Sequence, residues 1–121
     1  MRLVLALAVF CMGMMAPQAE AARFSGAYLL QLCGLDEKGR ELVAGGKIAC
    51  QAYISGVIDY HNVLRSLKVA PSVDICIPEN VTSNELQLIV LNFLHENTEH
   101  DAFVAAPAVT MALYGTYPCR K

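Results

Sequence analysis

Two short stretches of the sequence combine residue types that could perform chemistry, and the first contains two histidines. His95-Glu96-Asn97-Thr98-Glu99-His100 is close to the His-Glu-x-x-His pattern, in which two imidazoles on one helix face bind zinc. Here the second histidine follows five residues after the first, about 140° around a helix, and no third ligand accompanies the pair. We therefore interpret the segment as a solvated polar turn at a helix end, and we predict no metal site and no cofactor.

The second stretch, Asp59-Tyr60-His61, brings together an acid, a phenol and an imidazole. Helical spacing predicts Tyr60 in the core and its two neighbours directed outward, so the three side chains do not converge on a substrate. The sequence contains neither a phosphate-binding glycine loop nor a Ser/His/Asp arrangement. We therefore predict no catalytic residues and a protein that is not an enzyme.

The cysteines indicate disulfides rather than a metal site. Cys33, Cys50, Cys76 and Cys119 are separated by 17, 26 and 43 residues, whereas zinc sites use short Cys-x-x-Cys or Cys/His clusters. A nucleophilic cysteine needs a free thiolate, which an even number of cysteines in an exported chain disfavours. The fifth cysteine, Cys11, lies in an N-terminal segment that we expect to be removed.

That N-terminal segment is typical of a secretory signal peptide. Arg2 supplies a positive start, Leu3 to Met15 form an apolar run, Pro17 ends the run, and Ala19-Glu20-Ala21 fits the small-x-small cleavage rule. We therefore predict a leader over residues 1–21 that is cleaved on export.

Two other interpretations of the leader are disfavoured by its length and sequence. A membrane anchor needs about 20 apolar residues, and this run is shorter. A lipoprotein needs a small residue directly before the lipidated cysteine, whereas the large residue Phe10 precedes Cys11 here. We therefore predict a periplasmic domain over residues 22–121, with no membrane association after cleavage.

Composition and charge narrow the class of this domain. The 121-residue sequence is 55% hydrophobic and 17% charged, which is too apolar for a disordered protein and too short for two ordinary domains. The formal net charge is −2 and no run of Lys and Arg occurs, so we exclude a nucleic-acid partner.

Apolar residues recur at helical spacing in four segments. The first runs from Ser25 to Cys33, the second from Lys47 to Leu67, the third follows Thr82, and the fourth leads from Pro107 to Tyr117. Thr82 and Glu85 form the sequence signature of a capping box at the start of the third helix. Because no segment shows sustained alternation, we predict an all-α fold, a small four-helix up-down bundle.

The second predicted helix carries more apolar residues than one packing face requires. Its predicted core stripe consists of Ala49, Ala52, Tyr53, Gly56, Val57, Tyr60, Val63, Leu64 and Leu67. Ile54 and Ile58 lie beside that stripe. On the third helix, Leu88 and Leu91 lie opposite the apolar stripe formed by Leu86, Ile89, Val90, Phe93 and Leu94. We interpret these four residues as a spare apolar face, available for self-association.

In an up-down bundle, the disulfide pairing follows from which helix ends meet. Cys33 ends the first helix and Cys50 begins the second, while Cys76 precedes the third helix and Cys119 follows the fourth. The alternative partners lie about 25 Å away along the second helix, against about 6 Å between the Cα atoms of a disulfide. We therefore predict the pairs Cys33–Cys50 and Cys76–Cys119, which staple the bundle at both ends.

Several motifs follow one another in a specific order after the leader. They are Phe24-Ser25-Gly26, Cys50-Gln51-Ala52-Tyr53-Ile54-Ser55-Gly56, Cys76-Ile77-Pro78 and Tyr117-Pro118-Cys119. Together these motifs resemble the Rap/Tai family of immunity proteins over nearly all of the chain after the leader. The resemblance implies a periplasmic helical protein that protects a bacterium from type VI secretion effectors, notably amidases that cut peptidoglycan cross-links.

The resemblance also implies a homodimer and a loop that enters the catalytic cleft of the effector. The four spare apolar residues Ile54, Ile58, Leu88 and Leu91 are the predicted dimer face. The predicted effector-binding loop consists of His95, Glu96, Asn97, Thr98, Glu99, His100 and Asp101. This turn departs from the family's usual His-Pro-Glu by carrying Glu96-Asn97-Thr98-Glu99, and its acidity suits a basic cleft.

An alternative hypothesis is a periplasmic acid-stress chaperone, because such proteins are also small, helical and disulfide-bonded. They are commonly rich in charge and loosen at low pH, whereas this chain has few charges and two expected disulfides. We therefore favour an immunity protein that binds and inhibits a peptidoglycan amidase.

Overall fold

The computed structural model describes residues 24–69 and 72–120, and the predicted leader over 1–21 lies outside them. Within these ranges the chain forms four α-helices and no named strand, which confirms the predicted all-α fold. The helices are α1 (Gly26–Cys33), α2 (Gly46–Ser66), α3 (Ser83–Glu96) and α4 (Ala105–Thr116), with a 3₁₀ turn (Thr98–His100) between the last two. None of these helices is both long enough and apolar enough to span a membrane.

The starts of α1, α2 and α3 are stabilised by side chains that accept hydrogen bonds from backbone amides, whereas α4 has no side-chain cap. Ser25 Oγ accepts a hydrogen bond from the Tyr28 amide at 3.2 Å and begins α1. Thr82 Oγ1 accepts from the Glu85 amide at 3.3 Å, and Glu85 Oε2 accepts from the Thr82 amide at 2.7 Å, which confirms the predicted capping box of α3. The Glu41 carboxylate, from the preceding loop, accepts from the amides of Gly45 and Lys47 at the start of α2. Carboxylates are favourable there because helix N-termini carry unpaired N–H groups.

Both predicted disulfides are present. Cys33 and Cys50 join α1 to α2 with their Cα atoms 5.0 Å apart, and both residues are completely buried. Cys76 and Cys119 join the segment before α3 to the end of the chain, with Cα atoms 4.8 Å apart. Cys76 is exposed and Cys119 is half-buried, so the two disulfides differ strongly in their access to solvent.

The segment between α2 and α3 runs back along α2 toward the start of that helix. A backbone bridge pairs Ile75 with Pro118, and Gln51 Nε2, in the second turn of α2, donates to Asn84 Oδ1 at 2.9 Å. Gln87 is almost completely buried and donates through Nε2 to the Cys33 carbonyl at 3.0 Å. The start of α3 therefore lies beside the start of α2 and the end of α1, an arrangement that an idealised up-down bundle does not contain.

The face of α2 that points to the core differs from the predicted stripe. The buried residues are Gly46, Cys50, Ile54 and His61, whereas Tyr60 is 66% exposed. The disulfide at Cys50 turns this face toward α1, which leaves Tyr60 and Val63 exposed while Tyr53 and Val57 pack against the edge of the core. The prediction that Tyr60 lies in the core and His61 points outward is therefore wrong.

The predicted dimer face is also wrong in two of its four positions. Ile54 is 1% exposed and Leu91 is 8% exposed, because both residues pack in the chain's own core. Leu88 is 46% exposed and Ile58 is half-buried, but each lines a different cavity of the surface. These four residues therefore do not form one surface that is available to a second chain.

Candidate interaction surfaces

The predicted effector-binding loop, 95–101, forms a tight turn between α3 and α4. Asn97 ends α3 by donating from its backbone N and from Nδ2 to the Phe93 carbonyl, at 3.0 and 2.8 Å. One turn of 3₁₀ helix follows, and the Asp101 amide donates to the Thr98 carbonyl at 3.0 Å. The loop is thus a hydrogen-bonded structure of its own rather than an open connection.

The start of α1 holds this turn in place. The Gly26 amide donates to the Phe103 carbonyl at 2.9 Å, and the Ala27 amide donates to the Asp101 carbonyl at 3.1 Å. A Cβ atom at Gly26 would overlap the carbonyl oxygen of His100, so only glycine allows the two backbones to approach this closely. The turn is therefore pre-organised by main-chain contacts with α1.

The seven residues of the predicted loop divide into two groups. His95, Glu96, Thr98 and Glu99 are exposed. Asn97, His100 and Asp101 are half-buried, and the His100 ring packs against Phe93 with centroids 5.6 Å apart. Four of the residues can thus contact a partner, whereas the other three shape the turn.

Phe103 is a candidate contact residue that the sequence analysis missed. It follows the turn directly and is 66% exposed, beside Val104, which is 46% exposed. Exposed aromatic residues are common energetic centres of protein interfaces. The available signal was an aromatic residue just after the polar segment 95–101, outside the apolar stripes of the neighbouring helices. The surface formed by the exposed residues of 95–101 together with Phe103 is called the acidic turn below.

A second surface is an apolar groove between α2 and α4, called the α2–α4 groove below. It encloses about 750 Å³ and is lined mainly by Tyr53, Val57, Tyr60, Leu64, Pro107 and Met111. Phe24 stacks on Tyr53 with ring centroids 4.1 Å apart, and burial raises the pKa of the Tyr53 phenol. Among the described residues, those that line this groove include no Asp, Glu, Lys or Arg, and its apolar side chains suit an apolar partner surface.

A third feature is a cavity of about 540 Å³ between α2 and the returning segment. Ile58, Ile77 and Leu86 form apolar parts of its wall, and His61, Asn62 and Arg65 form the polar part. His61 Nε2 lies 2.9 Å from Asp74 Oδ1, and Arg65 Nε lies 3.2 Å from the same oxygen. His61 also lines the α2–α4 groove and therefore stands between the two cavities.

The described residues do not bring together a catalytic or metal-binding set. In 24–69 and 72–120, no three His, Cys, Asp or Glu side chains lie close enough to hold one ion. Asp59 and Tyr60 are exposed whereas His61 is buried, so these three neighbours face different environments. The geometry supports contact with another macromolecule through the acidic turn or the α2–α4 groove.

Comparison with known proteins identifies one family. The family model described as Rap1a immunity proteins matches residues 25–119, which span all four helices and both disulfides. Neither the search of curated proteins nor the search of solved structures finds a match.

Proposed function

The chain belongs to the Rap1a immunity protein family, which indicates protection against a secreted effector, and from this premise we propose a specific mode of action. The protein acts in the periplasm, where it binds a peptidoglycan amidase delivered by type VI secretion and covers the active site of that enzyme. The acidic turn is the part that enters the cleft. The family membership carries this proposal, and the exposed charges of the turn support its assignment as the contact.

The acidic turn has the properties of an inhibitory element. Its two glutamates, Glu96 and Glu99, are exposed to solvent, and so is Phe103, which follows them in the same connection between α3 and α4. The main-chain bonds from Gly26 and Ala27 fix its conformation before any partner arrives. Because a pre-organised loop loses little conformational entropy on binding, more of its contact energy remains as affinity.

One prediction from the sequence and one observation of the structure support the periplasmic location. The first is the predicted leader over 1–21, which lies outside the described residues. The second is the pair of disulfides, since such bonds form and persist in oxidising compartments and are rare in the cytosol. A peptidoglycan amidase acts in that same compartment, so inhibitor and target would meet there.

The effector interaction can be tested with charge reversal on the acidic turn. The wild-type protein should rescue the growth of cells that export the toxin encoded beside its gene, and the two proteins should form a complex in size-exclusion chromatography. Glu96→Lys/Glu99→Lys should weaken that complex at least tenfold, whereas Glu37→Lys/Glu79→Lys, which reverses two exposed acidic residues elsewhere, should not. Equal binding by both double variants would exclude the turn, and no binding by the wild type would exclude this toxin as the target.

The contribution of Phe103 is measured separately from that of the charges. Phe103→Ala should raise the dissociation rate, because a desolvated aromatic contact holds the formed complex together. The Glu96→Lys/Glu99→Lys change should instead lower the association rate and remove most of its dependence on salt. Surface plasmon resonance at two ionic strengths distinguishes these effects, and unchanged kinetics for Phe103→Ala would place the ring outside the interface.

We further propose that the protein forms a homodimer through the α2–α4 groove. The groove and its rim expose large apolar side chains, among them Tyr60 at 66% and Met111 at 44%. Contiguous apolar surface of this kind marks interaction sites in folded proteins. This location replaces the dimer face predicted from the sequence, because Ile54 and Leu91 of that predicted face are buried in the core.

A matched pair of substitutions tests where the dimer forms. Met111 in the groove and Leu88 outside it are exposed to almost the same extent, 44% and 46%. Met111→Glu should convert the dimer to monomer in sedimentation equilibrium, and Leu88→Glu should leave it unchanged. The reverse result would assign the dimer to α3, and a monomeric wild-type protein would exclude the proposal.

A further inference from the structure

One nitrogen atom of His61 has two hydrogen-bond partners that require it in different protonation states. The Ile75 amide donates to Nε2 at 3.1 Å, which requires a lone pair on that nitrogen. Asp74 Oδ1 lies 2.9 Å from the same Nε2, and a carboxylate in this position requires a proton on the nitrogen. A single Nε2 atom cannot satisfy both partners at once.

The site gives neither partner an easy replacement. His61 is 6% exposed and Ile75 is 4% exposed, so an Ile75 amide that loses its acceptor has little access to water. The charged groups close to the ring are Asp74 of the returning segment and, across that carboxylate, Arg65 of α2. Tyr60 of α2 contributes a phenol to the adjacent groove, while Leu86 of α3 and Met111 of α4 carry no titratable group.

We propose that His61 is a switch: its protonation determines how the segment containing residues 73–76 packs against α2. When the imidazole is protonated, Nε2 donates to Asp74 and the Ile75 amide must find another acceptor. When it is neutral, Nε2 accepts from Ile75 and the Asp74 carboxylate turns toward Arg65. Histidine is the side chain whose charge ordinarily changes between about pH 5 and 8.

The position of this segment gives the switch an effect beyond the histidine. Val73 lines the α2–α4 groove, and Ile75 and Cys76 line the cavity on the other side of His61. The disulfide from Cys76 to Cys119 and the hydrogen bond from the Cys76 amide to the Tyr117 carbonyl connect the segment to the end of α4. A shift of residues 73–76 therefore changes the shape of the groove, whatever partner the groove binds.

Nuclear magnetic resonance of the exported, disulfide-bonded protein tests the proposal between pH 5 and 8. The Ile75 amide and the Met111 methyl signal should move with the same midpoint as the His61 ring. Above that midpoint, the nitrogen-15 shifts of the ring should show a proton on Nδ1 and a free lone pair on Nε2. A neutral ring that keeps its proton on Nε2 overturns the proposal, and this measurement needs no substitution.

Two variants complete the test. His61→Gln supplies a carbonyl acceptor and an amide donor that do not titrate, so the pH response of Ile75 and Met111 should fall at least fivefold. His95→Gln removes an exposed histidine of α3 and should leave that response unchanged. An Ile75 response of equal size in His61→Gln and in the wild type would overturn the switch.

Discussion

Gly56 lies in the middle of α2 and lines the α2–α4 groove, and no contact with residues 24–69 or 72–120 requires a glycine there. A Cβ atom at this position would meet no atom of the described residues within 4 Å, so alanine fits there without a clash. Glycine inside a helix costs about 1 kcal/mol relative to alanine. Gly56→Ala should therefore raise the free energy of unfolding by about 1 kcal/mol, which corresponds to a rise in Tm of about 4–8 °C for a domain of this size.

Gly26 provides the matched control, because the same substitution should have the opposite sign there. Its Cβ would overlap the His100 carbonyl oxygen, so Gly26→Ala must displace either α1 or the acidic turn. Overpacking of this kind costs about 1–3 kcal/mol. Urea denaturation of both variants, at a concentration at which wild type and variants are monomeric in sedimentation equilibrium, measures the two effects, and a Gly56→Ala monomer less stable than the wild-type monomer would refute the reasoning.

The same Gly56→Ala change also tests the proposed dimer. The added methyl group projects into the groove that the second copy would occupy, so the variant should combine a more stable monomer with weaker self-association. Sedimentation equilibrium should show a dissociation constant raised several-fold. A more stable monomer with an unchanged dimer would mean that the second copy binds elsewhere.

Three further predictions concern the helix cap, the disulfides and the alternative function. Thr82→Ala should lower the free energy of unfolding by about 1 kcal/mol in urea denaturation. Hydrogen bonds from the Thr82 backbone and side chain lower the pKa of Glu85. The contribution of ionised Glu85 to the free energy of unfolding should therefore be fully present above the unfolded-state pKa and be lost as the pH falls through the lower folded-state pKa. The Glu85→Gln variant should lack this pH dependence. The Cys76–Cys119 disulfide should react with dithiothreitol before the buried Cys33–Cys50 disulfide, and peptide mapping can establish the order. Because the Cys76–Cys119 bond closes a loop with a sequence separation of 43 residues, removing it should lower the free energy of unfolding by about 4 kcal/mol. An acid-stress chaperone should suppress client aggregation at about pH 2–3, whereas we expect this protein to show no such activity.

The features that sequence reasoning predicted correctly depend on local chemistry or on covalent bonds. The capping box requires only Thr82 and Glu85 three residues apart, and the disulfide pairs follow from helix ends that must meet. The capping box does not depend on how the helices pack, whereas the disulfide pairing was predicted from an up-down arrangement and holds although the start of α3 departs from it.

The rotation of α2 could not be obtained from periodicity, because the helix carries apolar residues on most of its circumference. The predicted stripe through Tyr53 and Tyr60 and the observed buried set containing Cys50, Ile54 and His61 both follow helical spacing. The disulfide at Cys50 distinguishes them, since a cysteine paired with α1 must face α1. The predicted disulfide could therefore have fixed the rotation before the structure was known, and it would have shown that His61 is a buried polar residue in need of a partner.

The order of the acidic turn depends on α1, which is too short to be stable by itself. Isolated helices of fewer than about 12–15 residues are marginal in water, and α1 has 8 residues. Its position is set by the buried disulfide from Cys33 to Cys50 and by the hydrogen bond that Gln87 donates to the Cys33 carbonyl. The other end of α1 supplies the Gly26 and Ala27 amides that hold the turn. The buried disulfide therefore stabilises the fold and also orders the surface that we propose for effector binding, at the opposite end of the same short helix.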